Sequence, residues 1–131
     1  MARNIISVIT GLLVWLAVAT VAGLIMRATW PEYARVAQAM TFTLPMMLAR
    51  LSIGALATVV MGFVTARITR SAVAQLLPGV LLLIAFIPQH VMLWHTFPIW
   101  YHLWFLLTLV PLTYVGNRMA RATRGPPLAA V

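Results

Sequence analysis

The chain has 131 residues, 63% of them hydrophobic and 8% charged. Soluble domains run about 45–50% apolar and about 25% charged, so a soluble globular domain and a disordered chain are both excluded. With no cysteine there is no disulfide scaffold, thiolate metal site or cysteine nucleophile. An integral membrane protein remains.

The nine basic residues are all arginine, set against one acid, Glu32, for a net charge of +8. In a soluble protein that balance suggests nucleic acid. Here the arginines sit mostly at the ends of apolar segments, as the positive-inside rule requires. Anionic headgroups are their natural counter-ions, and no nucleic-acid partner is expected.

A spanning helix needs about 20 residues at about 1.5 Å each. The first charge-free stretch runs from Asn4 to Met26, between Arg3 and Arg27, and predicts a span over 5–26. Its Ala17-Val18-Ala19 fits the A-x-A pattern of a cleaved signal, but the apolar run continues to Met26. The length therefore predicts a retained helix.

Thr29-Trp30-Pro31-Glu32 reads as a helix start, with Thr29 capping, Glu32 completing an S/T-x-x-E box and proline in the first turn. Trp30, Tyr33, Val36 and Met40 recur at helical spacing, which predicts a short interfacial helix in the first outer loop.

Arg50 and Arg67 enclose only 16 charge-free residues, about 24 Å of helix and short of the ~30 Å hydrocarbon core. The second span is therefore expected over 43–66, with Arg50 roughly two turns inside the membrane boundary. From Ser71 to Asn117 there are 47 residues without Asp, Glu, Lys or Arg. One helix of that length would reach about 70 Å, so it must fold back. The polar, proline-bearing stretch His95-Thr96-Phe97-Pro98 predicts spans over 73–94 and 99–117.

The expected fold is thus all-α: an integral membrane four-helix bundle in one domain, residues 1–124, with a disordered tail over 125–131. Six arginines (Arg3, Arg67, Arg70, Arg118, Arg121 and Arg124) gather on one side. Arg27 and Arg35, offset by Glu32, occupy the other. Both termini are therefore expected to be cytoplasmic. Arginine- and alanine-rich usage without lysine adds an association with a bacterial inner membrane. The two hairpins show no internal repeat, so an inverted-repeat transporter core is not supported.

Small residues at a spacing of four mark two stripes: Ser7, Gly11, Ala19 and Gly23 on the first span, and Gly54, Thr58, Gly62 and Ala66 on the second. Such stripes let helix backbones approach closely. The expectation is that spans one and two pack together through Gly11, Ala19, Gly23, Gly54, Thr58 and Gly62, with a homodimer as the alternative. Trp94, Trp100, Tyr101 and Trp104 in the second outer hairpin, with Trp30, Tyr33 and Phe42 in the first, read as an outer aromatic belt.

The polar residues inside the membrane are few. Arg50 is costly there, and an intramembrane charge is a site hypothesis by default. The favoured reading is nonetheless a snorkelling side chain that reaches the headgroups. His90, with Gln89 beside it, and His102 flank the break between spans three and four at similar depth, with His95 in the turn. The favoured reading has them bonding neighbouring backbone or surface water. A ligand pocket lined by Arg50, Gln89, His90 and His102 is the alternative, for an anion or a quinone-type molecule. Metal binding is disfavoured because His90 and His95 lie about 140° apart on a helix, and a haem held by His90 and His102 is also disfavoured. No metal or cofactor is expected. The membrane half on the cytoplasmic side reads as plain packing.

Two function classes follow. The first is a non-enzymatic accessory or structural membrane protein that binds lipid, a further copy of itself or a partner membrane protein. The second is a small transporter, channel or ligand-binding protein using the outer polar cluster. No membrane-embedded carboxylate is present for proton coupling, and an enzyme is not expected.

Overall fold

The computed structural model describes residues 1–125. The tail expected to be disordered lies, apart from Gly125, outside the described residues. The chain forms α1 (Ala2–Thr29), α2 (Pro31–Val36), α3 (Leu44–Ile68), α4 (Ala72–Met92) and α5 (Ile99–Ala122). Among the described residues there is no strand. The four longer helices are each long and apolar enough to cross a membrane. They overlie most of the stretches expected at 5–26, 43–66, 73–94 and 99–117; arginine-bearing ends carry α1, α3 and α5 further, and α4 stops at Met92.

Local chemistry sets the boundaries. Pro98 is the N-cap of α5 and Pro45 stands in the first turn of α3, where a missing N–H costs nothing. Ser71 caps α4 by accepting from the Ala74 amide at 3.3 Å. The chain breaks between α4 and α5 across Leu93–Pro98, where the polar stretch foretold it. Between α2 and α3, Met40 takes a left-handed conformation with φ of 56°, a turn geometry that is uncommon for a residue with a Cβ.

The capping box is not formed. Thr29 is the last residue of α1, and its hydroxyl donates to the Ile25 carbonyl at 2.8 Å. Trp30 is the N-cap of α2 and makes no side-chain cap bond. Glu32 pairs instead with Arg35 at 3.4 Å on the exposed face. The short helix therefore starts at the proline, which is pre-shaped for the first turn.

Both ends of the bundle are identifiable by contact. Thr69 donates to Asn4 Oδ1 at 2.6 Å, and Arg67 donates to the Thr123 hydroxyl at 3.2 Å. Arg124 donates to the carbonyls of Ala66 and Arg67. The start of α1, the α3–α4 turn and the end of α5 thus share one end, here the terminal end. The opposite end carries α2 and the α4–α5 turn.

α3 is the centre of the bundle, and its contact with α5 is the most extensive, followed by that with α1. Glycine makes the α3–α5 approach close. A Cβ on Gly62 would collide with the Thr113 carbonyl, and one on Gly116 with the Val59 carbonyl and the Phe63 amide. Gly79 of α4 meets the Thr113 side chain in the same layer. Buried threonines avoid orphaned hydroxyls by donating to their own helix, Thr58 to Gly54, Thr65 to Met61 and Thr113 to Leu109.

Spans one and two do pack together, but the two small-residue stripes meet only in part. On α3, Gly54 and Gly62 face α5, where Gly54 meets Phe105. Only part of the α1 stripe packs: Gly11 lies against Thr65, Met61 and Pro78, and Trp15 Nε1 donates to the Thr58 hydroxyl at 3.1 Å. Higher on α1 the pattern changes. A Cβ on Gly23 would meet nothing within 4 Å. Ala19 and Gly23 leave space there and do not close it.

The terminal half is not plain packing either. Gln75 is buried and donates from Nε2 to the Thr69 carbonyl at 2.8 Å. Its Oε1 accepts from Arg121, and its backbone carbonyl accepts from Asn117 Nδ2 at 3.2 Å. A chain of polar contacts thus runs from Asn4 through Thr69 and Gln75 to Arg121. It fastens four helices where the sequence pattern showed only separate polar residues.

Candidate functional site

Arg50 lies on α3 six residues in from its start, about 9 Å along the axis. Its side chain does not snorkel past the bundle. Nη1 donates to the Tyr33 hydroxyl at 2.6 Å and Nε donates to the Tyr101 hydroxyl at 3.2 Å. Its guanidinium carbon stands 4.6 Å from the centre of the Phe42 ring. α2 exists at the right place for this. Its Tyr33 is 2% exposed and stacks on Phe42 with 5.1 Å between centres, which aims the hydroxyl down at α3. Phe42 continues to Phe97 and Phe97 to Tyr101 at 6.0 and 4.7 Å. The arginine is thus held by two phenols within an aromatic layer.

None of these contacts neutralises it. Arginine is always charged in proteins, and the chain's one acid, Glu32, is engaged by Arg35. Phenol oxygens accept hydrogen bonds from the cation without carrying a countercharge.

Beside Arg50 is a cavity of about 200 Å³. Trp15, Ala19, Gly23 and Met26 of α1 form one side, and Tyr33, Arg50, Gly54, Phe86, Tyr101 and Phe105 are among those opposite. Trp15 and Phe86 meet at 5.3 Å, tilted by 59°, at the deep end. The space exists because the α1 residues facing it are small at Ala19 and Gly23. A second, wider groove of about 380 Å³ lies between α1 and α4 near the terminal end. It is lined by six apolar side chains with Asn4 and Ser71, and it holds no charge to orient a ligand.

His90 and His102 do meet, but not in the cavity. Their Nδ1 atoms are 2.7 Å apart, a direct hydrogen bond. Each ring is buried, and His102 is fully so. His90 lies behind the wall, stacked on Phe105 at 4.9 Å, and His102 stacks on Trp94 at 5.0 Å. One ring must donate and the other accept, so at least one is neutral. His102 Nε2 is buried without a partner. Orphaned acceptors are better tolerated than orphaned N–H donors. The arrangement that meets this has His102 Nδ1–H donating to His90 Nδ1. Two ring nitrogens on one metal, each at about 2.0 Å, stand more than ~3 Å apart, so this pair is closed on itself and does not bracket an iron. Among the described residues no group of three His, Cys, Asp or Glu side chains could hold a metal ion.

Of the four residues expected to line a pocket, therefore, Arg50 lines it and His90 and His102 back it. Gln89 is turned out of the bundle and exposed, one helical step of about 100° from His90. His95 lies exposed in the α4–α5 turn. The residues that sequence reasoning missed are Tyr33 and Tyr101, which the sequence pattern places in a surface belt. The available signal was the arginine itself, since an intramembrane cation needs acceptors at its own depth.

A scan against protein-family models, a search of curated proteins and a search of solved structures each found no match.

Proposed function

We propose that this chain is a small, non-enzymatic membrane protein that binds a membrane-resident ligand in the cleft between the outer half of α1 and the rest of the bundle. The observation that carries this is Arg50, a cation with no acidic partner among the described residues, held by two tyrosines at the wall of a cavity. A guanidinium kept inside a membrane bundle is costly, and a site that uses it is the simplest reason for keeping it. Catalysis has less support, because the one pair suited to acid–base exchange, His90 with His102, bonds to itself behind the wall.

We further read the terminal end as cytoplasmic, since six arginines gather there, and the membrane as a bacterial inner membrane. In this reading α2 lies at the outer interface and lipids surround the bundle. No nucleic acid is involved.

A second reading is an accessory protein that packs on another membrane protein or a further copy of itself. It is favoured by α1, the span with the smallest share of its apolar stretch buried, 17% against 28% for the other three. Native mass spectrometry of the protein in mild detergent, with an absorption spectrum of the same sample, separates the two. The ligand reading expects a defined bound mass that is lost in Arg50→Gln. Identical bound masses in both proteins would remove it, and a stable oligomer carrying only lipid would favour the accessory reading.

A further inference from the structure

The cleft is graded in polarity, and the gradient identifies what fits it. Its polar atoms are concentrated at one end: the Arg50 guanidinium and the hydroxyls of Tyr33 and Tyr101. Its other end, toward the bundle centre, is apolar, formed by Trp15, Phe86 and Phe105. From Trp15 to Met26 the α1 wall runs 11 residues, about 16 Å. The cleft is thus long and narrow, charged near the α2 end and greasy toward the middle of the bundle. Indole Nε1 does not spoil the apolar floor, because it is spent on Thr58.

An amphiphile in the leaflet on that side has the same polarity in the same direction. Arg50 fixes the sign of its head. The guanidinium has five N–H donors in a fork that matches oxyanions, and two of its nitrogens are used by phenols. A neutral head would leave the half-buried charge uncompensated, whereas a carboxylate or phosphate supplies the missing countercharge. Size fixes the rest. A cavity of about 150 Å³ holds benzene. About 200 Å³ therefore holds a head and the first part of a chain, and the remainder of a long chain must leave past Trp15 among the lipid tails.

Resting on the binding role proposed above, we infer that the cleft takes the oxyanion head of a single-chain membrane amphiphile, with the head on Arg50 and the chain directed toward Trp15.

The test uses Trp15 as reporter. The intact protein in an uncharged maltoside detergent is titrated with 11-bromoundecanoate, whose bromine quenches indole fluorescence at contact. Parallel titrations use 11-bromoundecanol, and competition uses acetate and inorganic phosphate. The expected result is saturable quenching by the carboxylate, absent in Trp15→Phe, with the alcohol at least tenfold weaker and the small anions unable to compete at millimolar concentration. Arg50→Gln should weaken the carboxylate by a similar factor. The comparison of carboxylate with alcohol on the unaltered protein does not depend on that variant folding. Equal binding of alcohol and carboxylate would overturn the anionic head while leaving a ligand cleft in place. Competition by acetate or phosphate alone would assign the site to a soluble oxyanion and overturn the amphiphile. No Trp15-dependent quenching by either chain would remove both the inference and the binding role.

Discussion

Arg50 of α3 and Tyr33 of α2 are joined by a 2.6 Å hydrogen bond, and that bond ties a six-residue helix to the transmembrane bundle. A helix of fewer than two turns has little stability of its own. α2 keeps its shape through Tyr33, buried between Phe42 and the guanidinium. Tyr33→Phe should retain the stacking and lose the acceptor, at a cost of about 0.5–2 kcal/mol. Limited trypsin digestion should then cut faster after Arg35, which is exposed in this segment. Unchanged cleavage would show that stacking alone holds the helix.

The His90–His102 pair predicts coupling. Removing one ring strands the other's Nδ1 in a buried site, whereas replacing both removes the need for a partner. His90→Phe and His102→Phe should each destabilise by about 1–3 kcal/mol. The double variant should cost less than their sum by about 0.5–2 kcal/mol. A thermal-melt cycle in detergent measures this, and additive losses would mean that the 2.7 Å contact contributes no net stability.

Glycine substitutions should divide by environment. Gly62→Ala and Gly116→Ala drive a methyl into backbone on the facing helix and should each cost about 1–3 kcal/mol. Gly23→Ala meets nothing within 4 Å. It should be neutral or stabilising by up to about 1 kcal/mol, because alanine is the better helix former. Melting temperatures of the three variants check the order. A Gly23→Ala variant as damaged as Gly62→Ala would contradict the open space beside α1.

The four spans were legible because hydropathy and length are one-dimensional properties, and 47 charge-free residues with a proline-bearing middle can fold only as a hairpin. Small-residue spacing was legible as a face but not as a partnership. Gly54 and Gly62 share a stripe with Arg50 and Thr58, yet the two glycines meet α5 while Thr58 meets Trp15 of α1. Periodicity within one helix carries no information about which neighbour it meets. For the site, the equal depth of His90 and His102 followed from helix geometry, while Gln89 was misplaced by a single residue step. The Tyr33 and Tyr101 hydroxyls were hidden because aromatic residues at a membrane boundary have an adequate reason to be there without any arginine.

The polar chain at the terminal end predicts a stability effect with no effect on the cleft. Gln75→Leu strands the buried Thr69 carbonyl and takes an acceptor from the exposed Arg121, and should cost about 1–3 kcal/mol. Quenching of Trp15 by 11-bromoundecanoate should be unchanged where the protein remains folded. A shifted titration would show that the two ends are coupled.

Orientation can be read by labelling, because the natural chain has no cysteine. Ala72→Cys places a thiol at an exposed position at the start of α4. An impermeant maleimide should reach it only after the membrane is opened. Labelling of intact cells would place the terminal end outside and reverse the assignment of both termini.

α1 is fastened unevenly. Asn4, Gly11 and Trp15 engage the bundle, and beyond Trp15 no side-chain hydrogen bond among the described residues ties α1 to another helix. Its far end runs straight into α2, which Tyr33 ties to Arg50, so α1 is loosest between Trp15 and that turn. From Trp15 to Gly23 is about 12 Å of helix, so a local bend of about 5° moves the backbone by about 1 Å at Gly23 and changes the cleft's width by that amount. The α1 wall of the cleft is therefore the one able to yield, while α3 and α5 are locked together where Gly62 and Gly116 meet the facing backbone.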